Sequence, residues 1–383
     1  MEKRKMEKLG IETSLLGFGC MRFPVTAGGK IDESLAEKMM DQAIAAGVNY
    51  IDTAYPYHGG ESETFVGKVL KKYDRNSFYL ATKLPCWKVN KIEDVDTIFQ
   101  EQLGKLQTEY IDFYLLHALD KERFHKMVEL GTVEKLEELK AQGKIKYLGF
   151  SFHDSYDVFE EIVNYRDWDF CQIQLNYMDA NEREEFQQAG MKGYRLTEEK
   201  GIPLVIMEPV KGGSLAAFPE DITAKYRALD PEASVASFAL RWVGSLPNVK
   251  VILSGMSTME QVEDNLKTFS DFKPLSEKER QTIDEVVALI NSRIQNGCTG
   301  CSYCMPCPAG VDIPRNFRIW NVYHMYRNYN MVKDRWENGL AEENKAKNCI
   351  KCGKCEKVCP QKLSIREDLE RVQADLDKKE FII

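Results

Sequence analysis

The stretch IDFYLLHALDKERFHKMVELGTVEKLEELKAQGKIKYLGFS, residues 111–151, contains the pattern that decides the fold. Short apolar segments, IDFYLLH and KYLGFS, lie at its two ends, and the residues from Gly131 to Lys144 between them have the apolar spacing of an amphipathic helix. A helix between two buried strands is typical of a parallel sheet, because parallel neighbours need a long crossover connection. The stretch therefore predicts a strand–helix–strand unit.

The same alternation extends over most of the chain, with another clear helical pattern from Ser34 to Gly47. The predicted strands are LLGFGC, NYID, FYLATK, IDFYLLH, KYLGFS, FCQIQLN, PLVIME and KVILSG. Eight strands that alternate with helices predict an α/β protein with a (β/α)8 TIM barrel. A doubly wound sheet is the alternative, and it is disfavoured because no G-x-G-x-x-G sequence follows the first strand.

Composition excludes several classes of protein. The chain has 383 residues and a net charge of −8, so it lacks the basic excess that a general nucleic-acid or anionic-membrane binder needs. No apolar run approaches the roughly 20 residues that span a bilayer. The basic N-terminus is interrupted by Glu12 and Thr13 before an apolar signal core can form. We therefore expect a cytoplasmic protein.

Cysteine positions divide the chain into two parts. Three cysteines are scattered through the first 297 residues, whereas eight lie between Cys298 and Cys359. Without a secretory signal, such a cluster indicates metal ligands rather than disulfides. We predict a barrel domain over residues 1–290 and a small, mainly α-helical domain over residues 291–383.

Three polar residues stand at the ends of predicted strands: Asp52, Lys83 and His117. A single such residue is often structural, but the carboxyl ends of barrel strands carry the active site, and three of them on successive strands favour a functional site. Asp52 belongs to DTAYPY, in which Tyr57 follows five residues later.

These four residue types suit proton transfer. A tyrosine is a weak acid at neutral pH, and a neighbouring ammonium lowers its pKa by stabilising the phenolate. We expect Lys83 to be that ammonium and Asp52 to hold it by a charge-assisted hydrogen bond. Tyr57 would then donate a proton to a carbonyl oxygen while a hydride reaches the carbon, and His117 would orient the carbonyl or assist the proton transfer.

The motif DTAYPYHGGESE, together with ATK and YLLH, resembles the aldo/keto reductase family. The resemblance implies a catalytic tetrad of Asp52, Tyr57, Lys83 and His117, a nicotinamide cofactor and a carbonyl or alcohol substrate. Tyr55 is the competing tyrosine, but the spacing in the family selects Tyr57. The pocket for the substrate is expected to include Met21, Cys86 and Trp87.

The resemblance also implies residues that hold NAD(H) or NADP(H). Ser151 and Gln172 match the family's contacts to the nicotinamide amide, although Phe152 stands where an Asn is usual, and Met207 lies where an aromatic residue commonly stacks. The segment SGMSTMEQVEDN resembles the adenosine-binding loop and helix, but it lacks the usual cation for a 2′-phosphate. Its expected cofactor contacts are Ser254, Gly255, Met256, Ser257, Gln261, Asp264 and Asn265. The alternative is an ordinary capped helix that ends the barrel.

The second cysteine run, CIKCGKCEKVCP, has the C-x2-C-x2-C-x3-C-P spacing of ferredoxins with two clusters, and the first run, CTGCSYCMPCP, is one residue shorter. We predict two 4Fe-4S clusters, with zinc sites as the alternative. In this arrangement the fourth cysteine of each run binds the other cluster. The predicted ligands are Cys298, Cys301, Cys304 and Cys359 for one cluster, and Cys349, Cys352, Cys355 and Cys307 for the other.

Two functions follow from these patterns. In the first, the protein is a reductase that transfers hydride between a nicotinamide and a carbonyl or alcohol, with an attached ferredoxin-like module. In the second, the barrel has lost efficient nicotinamide binding and the protein is an electron-transfer or docking component. A ferredoxin-like electron donor or acceptor is the partner that the cysteine module suggests, whereas no nucleic-acid or membrane partner is expected.

Overall fold

The computed structural model describes residues 1–180 and 188–380. The strands are β1 (Lys3–Met6), β2 (Ile11–Ser14), β3 (Leu16–Gly19), β4 (Tyr50–Asp52), β5 (Tyr79–Leu84), β6 (Ile111–Leu119), β7 (Ile145–Phe152), β8 (Phe170–Gln174), β9 (Leu204–Met207) and β10 (Val249–Gly255). The helices are α1 (Glu33–Ala45), α2 (Ser62–Leu70), α3 (Glu93–Leu106), α4 (Lys121–Glu129), α5 (Thr132–Ala141), α6 (Tyr156–Tyr165), α7 (Gly190–Glu199), α8 (Glu220–Arg227), α9 (Val235–Gly244), α10 (Met259–Ser270), α11 (Glu277–Ser292), α12 (Ile313–Tyr326), α13 (Asn330–Glu337), α14 (Lys354–Val358) and α15 (Ile365–Lys378).

The eight predicted strands, β3 to β10, form a closed parallel barrel in the order in which they follow in the chain. The (β/α)8 TIM barrel is thus confirmed. β10 closes the barrel by pairing with β3, where Ser254 lies opposite Phe18. The helices predicted around residues 34–47 and 131–144 are present as α1 and α5.

Aromatic residues fill the amino-terminal end of the barrel. Tyr50 and Phe113 have ring centroids 4.9 Å apart, and Phe113 meets Phe170 edge-on at 4.8 Å. Met6, from the hairpin that β1 and β2 form ahead of the barrel, belongs to the same buried cluster. This end is packed with apolar side chains, whereas Asp52, Lys83 and His117 lie near the carboxyl ends of their strands.

Packing divides the chain into two compact units. The first contains Met1–Pro209 and Ala239–Leu275, and therefore the whole barrel sheet. The second contains Val210–Phe238 and Ser276–Ile383, so α8, from the connection that follows β9, belongs to the cysteine-rich unit. Within this unit Arg293 forms an ion pair with Asp221 of α8.

Three helices of the second unit, α12, α13 and α15, surround one apolar core. The core residues on α12, α13 and α15 include Phe317, Trp320, Tyr323, Val332, Trp336, Leu369, Val372 and Leu376. The Trp320 indole donates a hydrogen bond to Asp375, which satisfies its buried N–H. Six of the eight clustered cysteines pack against this core. No helix of the described residues is long and apolar enough to cross a membrane.

Candidate active site and cysteine module

A buried ion pair joins the ends of β4 and β5. The Lys83 ammonium donates hydrogen bonds to Asp52 Oδ1 at 2.7 Å and to the Thr53 carbonyl at 2.8 Å. Burial alone would lower the pKa of Lys83, but the negative charge of Asp52 and the contact with Tyr57 exceed that effect and raise it. Lys83 is therefore an ammonium, and its counter-charge is provided within the barrel.

Tyr57 is the tyrosine that reaches this ion pair. Its hydroxyl lies 3.5 Å from Lys83 Nζ, at the outer limit of a hydrogen bond, and the ammonium is 5.1 Å from the ring centroid. The Tyr55 hydroxyl instead bonds the Glu101 carboxylate at 3.1 Å. Gly60, three residues after Tyr57, has φ of +97°, a conformation that favours glycine and turns the chain into α2.

The pKa of Tyr57 differs from the sequence-based expectation. Burial raises it, and the Lys83 ammonium, which acts in the opposite direction, offsets only part of that effect. The sequence predicted a lysine near Tyr57, but it did not show that burial removes water from around the phenol. Tyr57 is therefore a neutral phenol at neutral pH, which is the form that can donate a proton.

His117 lies beside Tyr57 at the end of β6. Their ring centroids are 6.2 Å apart, and the His117 ring also lies 5.1 Å from Trp87. Burial, followed by the nearby positive charge of Lys83, holds the pKa of His117 well below its ordinary value, so the imidazole is neutral. The next residue, Ala118, has φ of +54° where the pairing of β6 with β7 shifts its register.

An open cleft of about 520 Å³ lies over Tyr57 and His117. Its lining residues are Met21, Pro56, Tyr57, His58, Trp87, His117, Ala118 and Arg123. Two of the three expected substrate contacts, Met21 and Trp87, are thus in the cleft. The third, Cys86, is fully buried and directs its thiol to the Leu84 carbonyl at 3.5 Å.

The eight clustered cysteines line two cavities in the second unit. One cavity is lined by Cys298, Cys301, Cys304 and Cys359. The other is lined by Cys307, Cys349, Cys352 and Cys355, together with Cys304. Each cavity thus combines cysteines from both runs, in the crossed arrangement that the ferredoxin spacing predicts. Within residues 1–180 and 188–380, no group of three or more His, Cys, Asp or Glu side chains forms a metal-ion site.

Comparison with known families gives two matches. The sequence model of the aldo/keto reductase family matches residues 15–288, which is most of the chain. The chain belongs to the aldo/keto reductase family. A 4Fe-4S dicluster domain matches residues 297–363 beyond it. These two ranges lie on either side of the boundary expected at residue 290.

Relatives of this aldo/keto reductase cover its barrel. An uncharacterized oxidoreductase of Bacillus subtilis, YqkF, is 27% identical and covers 73% of this chain and 94% of its own length. The NADH-specific methylglyoxal reductase of Escherichia coli is 25% identical, over 68% of this chain and 89% of its own. The holo structure of aldo-keto reductase AKR11C1 from Bacillus halodurans aligns with a TM-score of 0.62 and 28% identity, and covers 74% of this chain and 96% of that one.

The expected nicotinamide contacts of this aldo/keto reductase lie side by side on neighbouring strands. Ser151 pairs in register with Gln172, and the Ser151 hydroxyl accepts a hydrogen bond from the Ala118 N–H at 2.7 Å. Gln172 Nε2 donates to Met207 Sδ at 3.4 Å, while Gln172 Oε1 is buried with no protein partner. Phe152, at the position where Asn is usual in the family, is buried with its ring 5.1 Å from that of Phe159.

The expected adenosine contacts extend from the end of β10 into α10. Asn265 Nδ2 donates to Ser254 Oγ at 2.8 Å, and Gln261 Oε1 accepts from the Ser257 N–H at 2.7 Å. Gly255 ends the strand, Met256 is buried, and Asp264 is half-buried on α10. Four of the seven residues are thus joined in two hydrogen-bonded pairs across the turn and the start of α10.

Sequence reasoning missed three residues around these sites. Arg22 lies against the turn after β10: the Ser257 hydroxyl donates to its carbonyl at 2.7 Å, and a side chain on Gly255 would collide with its Cβ and Cγ. Arg123 reaches the cleft from α4. Glu63 lies under the ion pair, where it and the Lys83 carbonyl both accept hydrogen bonds from Gln102. Only folding brings these residues to the site, and no local motif marks the two arginines.

Proposed function

We propose that the barrel reduces a carbonyl group with hydride from a nicotinamide cofactor, with Tyr57 as the proton donor. The observation that carries this proposal is the contact of one ammonium, Lys83, with both Asp52 and Tyr57. An ammonium at this position stabilises the phenolate that forms when Tyr57 gives up its proton.

The protein residues account for the proton in this reaction. The nicotinamide supplies the hydride that forms the new C–H bond. The carbonyl oxygen takes the phenolic proton of Tyr57, so an alcohol and a tyrosinate result, and solvent then restores the phenol. The neutral His117 donates a hydrogen bond to the same oxygen and orients it, which an imidazole can do without titrating near neutral pH.

The residues at the ends of β7 and β8 fit a nicotinamide amide. The buried Gln172 Oε1 lacks a donor, and the NH2 group of a carboxamide would satisfy it. The Ser151 hydroxyl, which accepts from the Ala118 N–H, retains its own hydrogen for the carboxamide oxygen. Met207, beside Gln172, would contact the ring.

The adenosine half of the cofactor would lie at the start of α10. Free N–H groups at a helix N-terminus attract phosphate, and the Arg22 side chain starts beside that turn, with its Cβ and Cγ against Gly255. NAD(H) or NADP(H) would therefore extend from Ser151 and Gln172 to the segment from Ser254 to Asn265.

The second unit, in this proposal, holds two 4Fe-4S clusters. Cysteines from both runs meet in each cavity, as the dicluster spacing requires. The proposed ligands are Cys298, Cys301, Cys304 and Cys359 for one cluster, and Cys307, Cys349, Cys352 and Cys355 for the other. When bound, the clusters supply one-electron transfer.

A second candidate function is electron transfer with an acidic, ferredoxin-like partner. Exposed lysines surround the second cysteine run, and Lys354, Lys357 and Lys362 make no ion pair within the described residues. Such a basic surface, on a chain with a net charge of −8, favours an acidic carrier. This candidate is compatible with a working barrel.

Nicotinamide binding to the anaerobically purified protein tests the reductase function, because electron transfer by the clusters does not require it. The reductase proposal expects saturable binding of NADH or NADPH and its oxidation when an aldehyde is added. Absence of binding to protein with intact clusters would remove the reductase and leave the electron carrier.

A stopped-flow experiment tests coupling between the two activities. A nicotinamide delivers two electrons as hydride, whereas a 4Fe-4S cluster takes one, so direct exchange generally needs a flavin. We expect NADH alone to leave the visible absorbance of the clusters unchanged over one turnover in flavin-free protein. Bleaching within that time would contradict this expectation, and reduction by an acidic ferredoxin would support the carrier role.

A further inference from the structure

The cleft over Tyr57 is lined by one permanently charged side chain. Among the described residues that line it, Arg123 is a cation and none is a carboxylate. Arg123 belongs to the first turn of α4, which begins after the strand that carries His117. The chain thus places the positive charge of Arg123 at the opening of the cleft shortly after His117 in the sequence.

Part of the guanidinium is fixed by the protein. Arg123 Nη1 donates to the Ala118 carbonyl at 2.7 Å and lies 3.3 Å from Asp120 Oδ2. Its guanidinium carbon is 5.8 Å from the centroid of the Trp87 ring. These contacts hold the planar group at the rim, where 38% of the side chain is exposed.

The rest of the guanidinium remains available. Within the described part of the chain, Arg123 Nε and Nη2 donate to no protein atom. Asp120 offsets some of the charge, but its Oδ1 already accepts from the Arg123 backbone N–H as the cap of α4. An anchored arginine with free N–H groups is suited to bind a carboxylate through two parallel hydrogen bonds.

Neighbouring groups do not supply an alternative cation at the cleft. Lys83 is compensated by Asp52 at 2.7 Å. His58 and His117, which line the cleft, and the nearby His153 are neutral at pH 7, since burial lowers the pKa of each. The Arg123 charge acts in the same direction on His117 and His153. The positive charge at the cleft therefore comes mainly from Arg123, and Asp120 offsets part of it.

We propose that the substrate is a carbonyl compound that carries a carboxylate, and that Arg123 binds this carboxylate while the carbonyl lies at Tyr57 and His117. The apolar body of the substrate packs between Met21 and Trp87. This inference rests on the proposed reductase function of the barrel, and it adds the substrate class that the site selects.

The experiment compares a charged and a neutral aldehyde of similar shape. The probes are 4-formylbenzoate and its methyl ester, and the quantity measured is the ratio of their kcat/KM values with saturating nicotinamide. We expect the wild type to favour the carboxylate about 10-fold or more, because a hydrogen bond between charged groups is worth roughly that factor. Added salt should reduce the preference.

Variants of Arg123 and Lys121, both in the first turn of α4, identify the side chain that binds the carboxylate. Arg123→Met should bring the ratio close to one, mainly through a higher KM for the carboxylate, and Arg123→Lys should restore part of it. Lys121→Met removes an exposed cation from the same turn of α4 and should keep the wild-type ratio. Thermal unfolding of each variant checks that the barrel is intact.

Binding measurements separate failure of this inference from failure of the reductase. If the protein binds benzoate more tightly than benzamide and Arg123→Met removes the difference, the anion site stands even if no aldehyde is reduced. If aldehydes are reduced with a Tyr57 dependence but carboxylate and ester are equal in the wild type, the inference is wrong and the reductase stands. An equal loss of preference in Lys121→Met and Arg123→Met would also overturn it.

Discussion

Lys83 Nζ lies 2.7 Å from Asp52 Oδ1, and the two side chains are only 1% and 3% exposed. Removal of one partner leaves an uncompensated charge inside the barrel. We expect Lys83→Met or Asp52→Leu alone to lower the free energy of unfolding by about 3–5 kcal/mol. The measurement is urea unfolding followed by circular dichroism.

The matched control for the ion pair is the double variant Lys83→Met with Asp52→Leu. It removes both charges, so it should be less destabilised than the sum of the single variants. Additive losses would show that the pair contributes no coupling energy.

Tyr57 and Tyr55 offer an internal comparison for the proton donor. Tyr57→Phe should reduce carbonyl turnover at least about 100-fold, the lower end for general acid catalysis, while nicotinamide binding is kept. Tyr55→Phe should have a mild effect, because its hydroxyl bonds Glu101 and not Lys83. The opposite ranking in steady-state rates would identify Tyr55 as the donor.

The pH dependence of the reaction follows from the protonation of two groups. Burial raises the pKa of Tyr57 above its ordinary value, so the phenol stays protonated as pH rises from about 7 to about 9, and reduction should be nearly constant there. Reduction should fall at higher pH as the phenol ionises, whereas alcohol oxidation, which needs the tyrosinate as base, should increase. If the rate of reduction fell with decreasing pH around a midpoint near 6.5, His117 would be gaining a proton there. That result would contradict a neutral His117.

The metal content distinguishes clusters from zinc. Anaerobic preparation should yield about eight irons and eight acid-labile sulfides per chain. Cys359→Ser should decrease the iron content and alter the visible spectrum, and Cys171→Ala, which changes a buried barrel cysteine, should preserve both. Stoichiometric zinc without labile sulfide would refute the iron–sulfur proposal.

Cofactor choice depends on the turn after β10. The segment from Ser254 to Asn265 has no Arg or Lys for a 2′-phosphate, so we expect NADH to bind at least as tightly as NADPH in a fluorescence titration. A strong preference for NADPH that disappears in Arg22→Met would contradict this prediction and place the phosphate at Arg22. Lys267→Met, on the last turn of α10, is the control.

The barrel was predictable because each strand has its own short apolar signal. The segment KYLGFS forms part of β7, and NYID contains β4, so local patterns and strand count together defined the sheet. The hairpin of β1 and β2 was missed because KRKM and IETS are short and mostly polar, and its anchor, Met6, acquires its role only by burial under the barrel. The place of residues 210–238 in the second unit is likewise a tertiary effect.

The candidate site was predictable where residues lie near the carboxyl ends of neighbouring strands. Asp52, Lys83 and His117 lie near the carboxyl ends of β4, β5 and β6, which pair in this order, so the predicted strand ends alone indicated that they would lie together. Arg123 and Arg22 lie on a helix and in a loop, where an arginine usually indicates only a solvated surface. The pKa of Tyr57 also needed the structure, because burial is a property of all its neighbours and not of the motif.

Each cysteine cavity draws on both runs, although residues 308–348 separate them along the chain. Thiolate bonds to iron at these positions would act as cross-links that close long loops, and such links stabilise a fold chiefly by restricting the unfolded chain. Because each cavity needs cysteines from both runs, neither cluster could be completed by one cysteine run alone. Assembly of the clusters and folding of α12 to α15 would then be a single cooperative event, in which the iron–sulfur clusters hold the helices together.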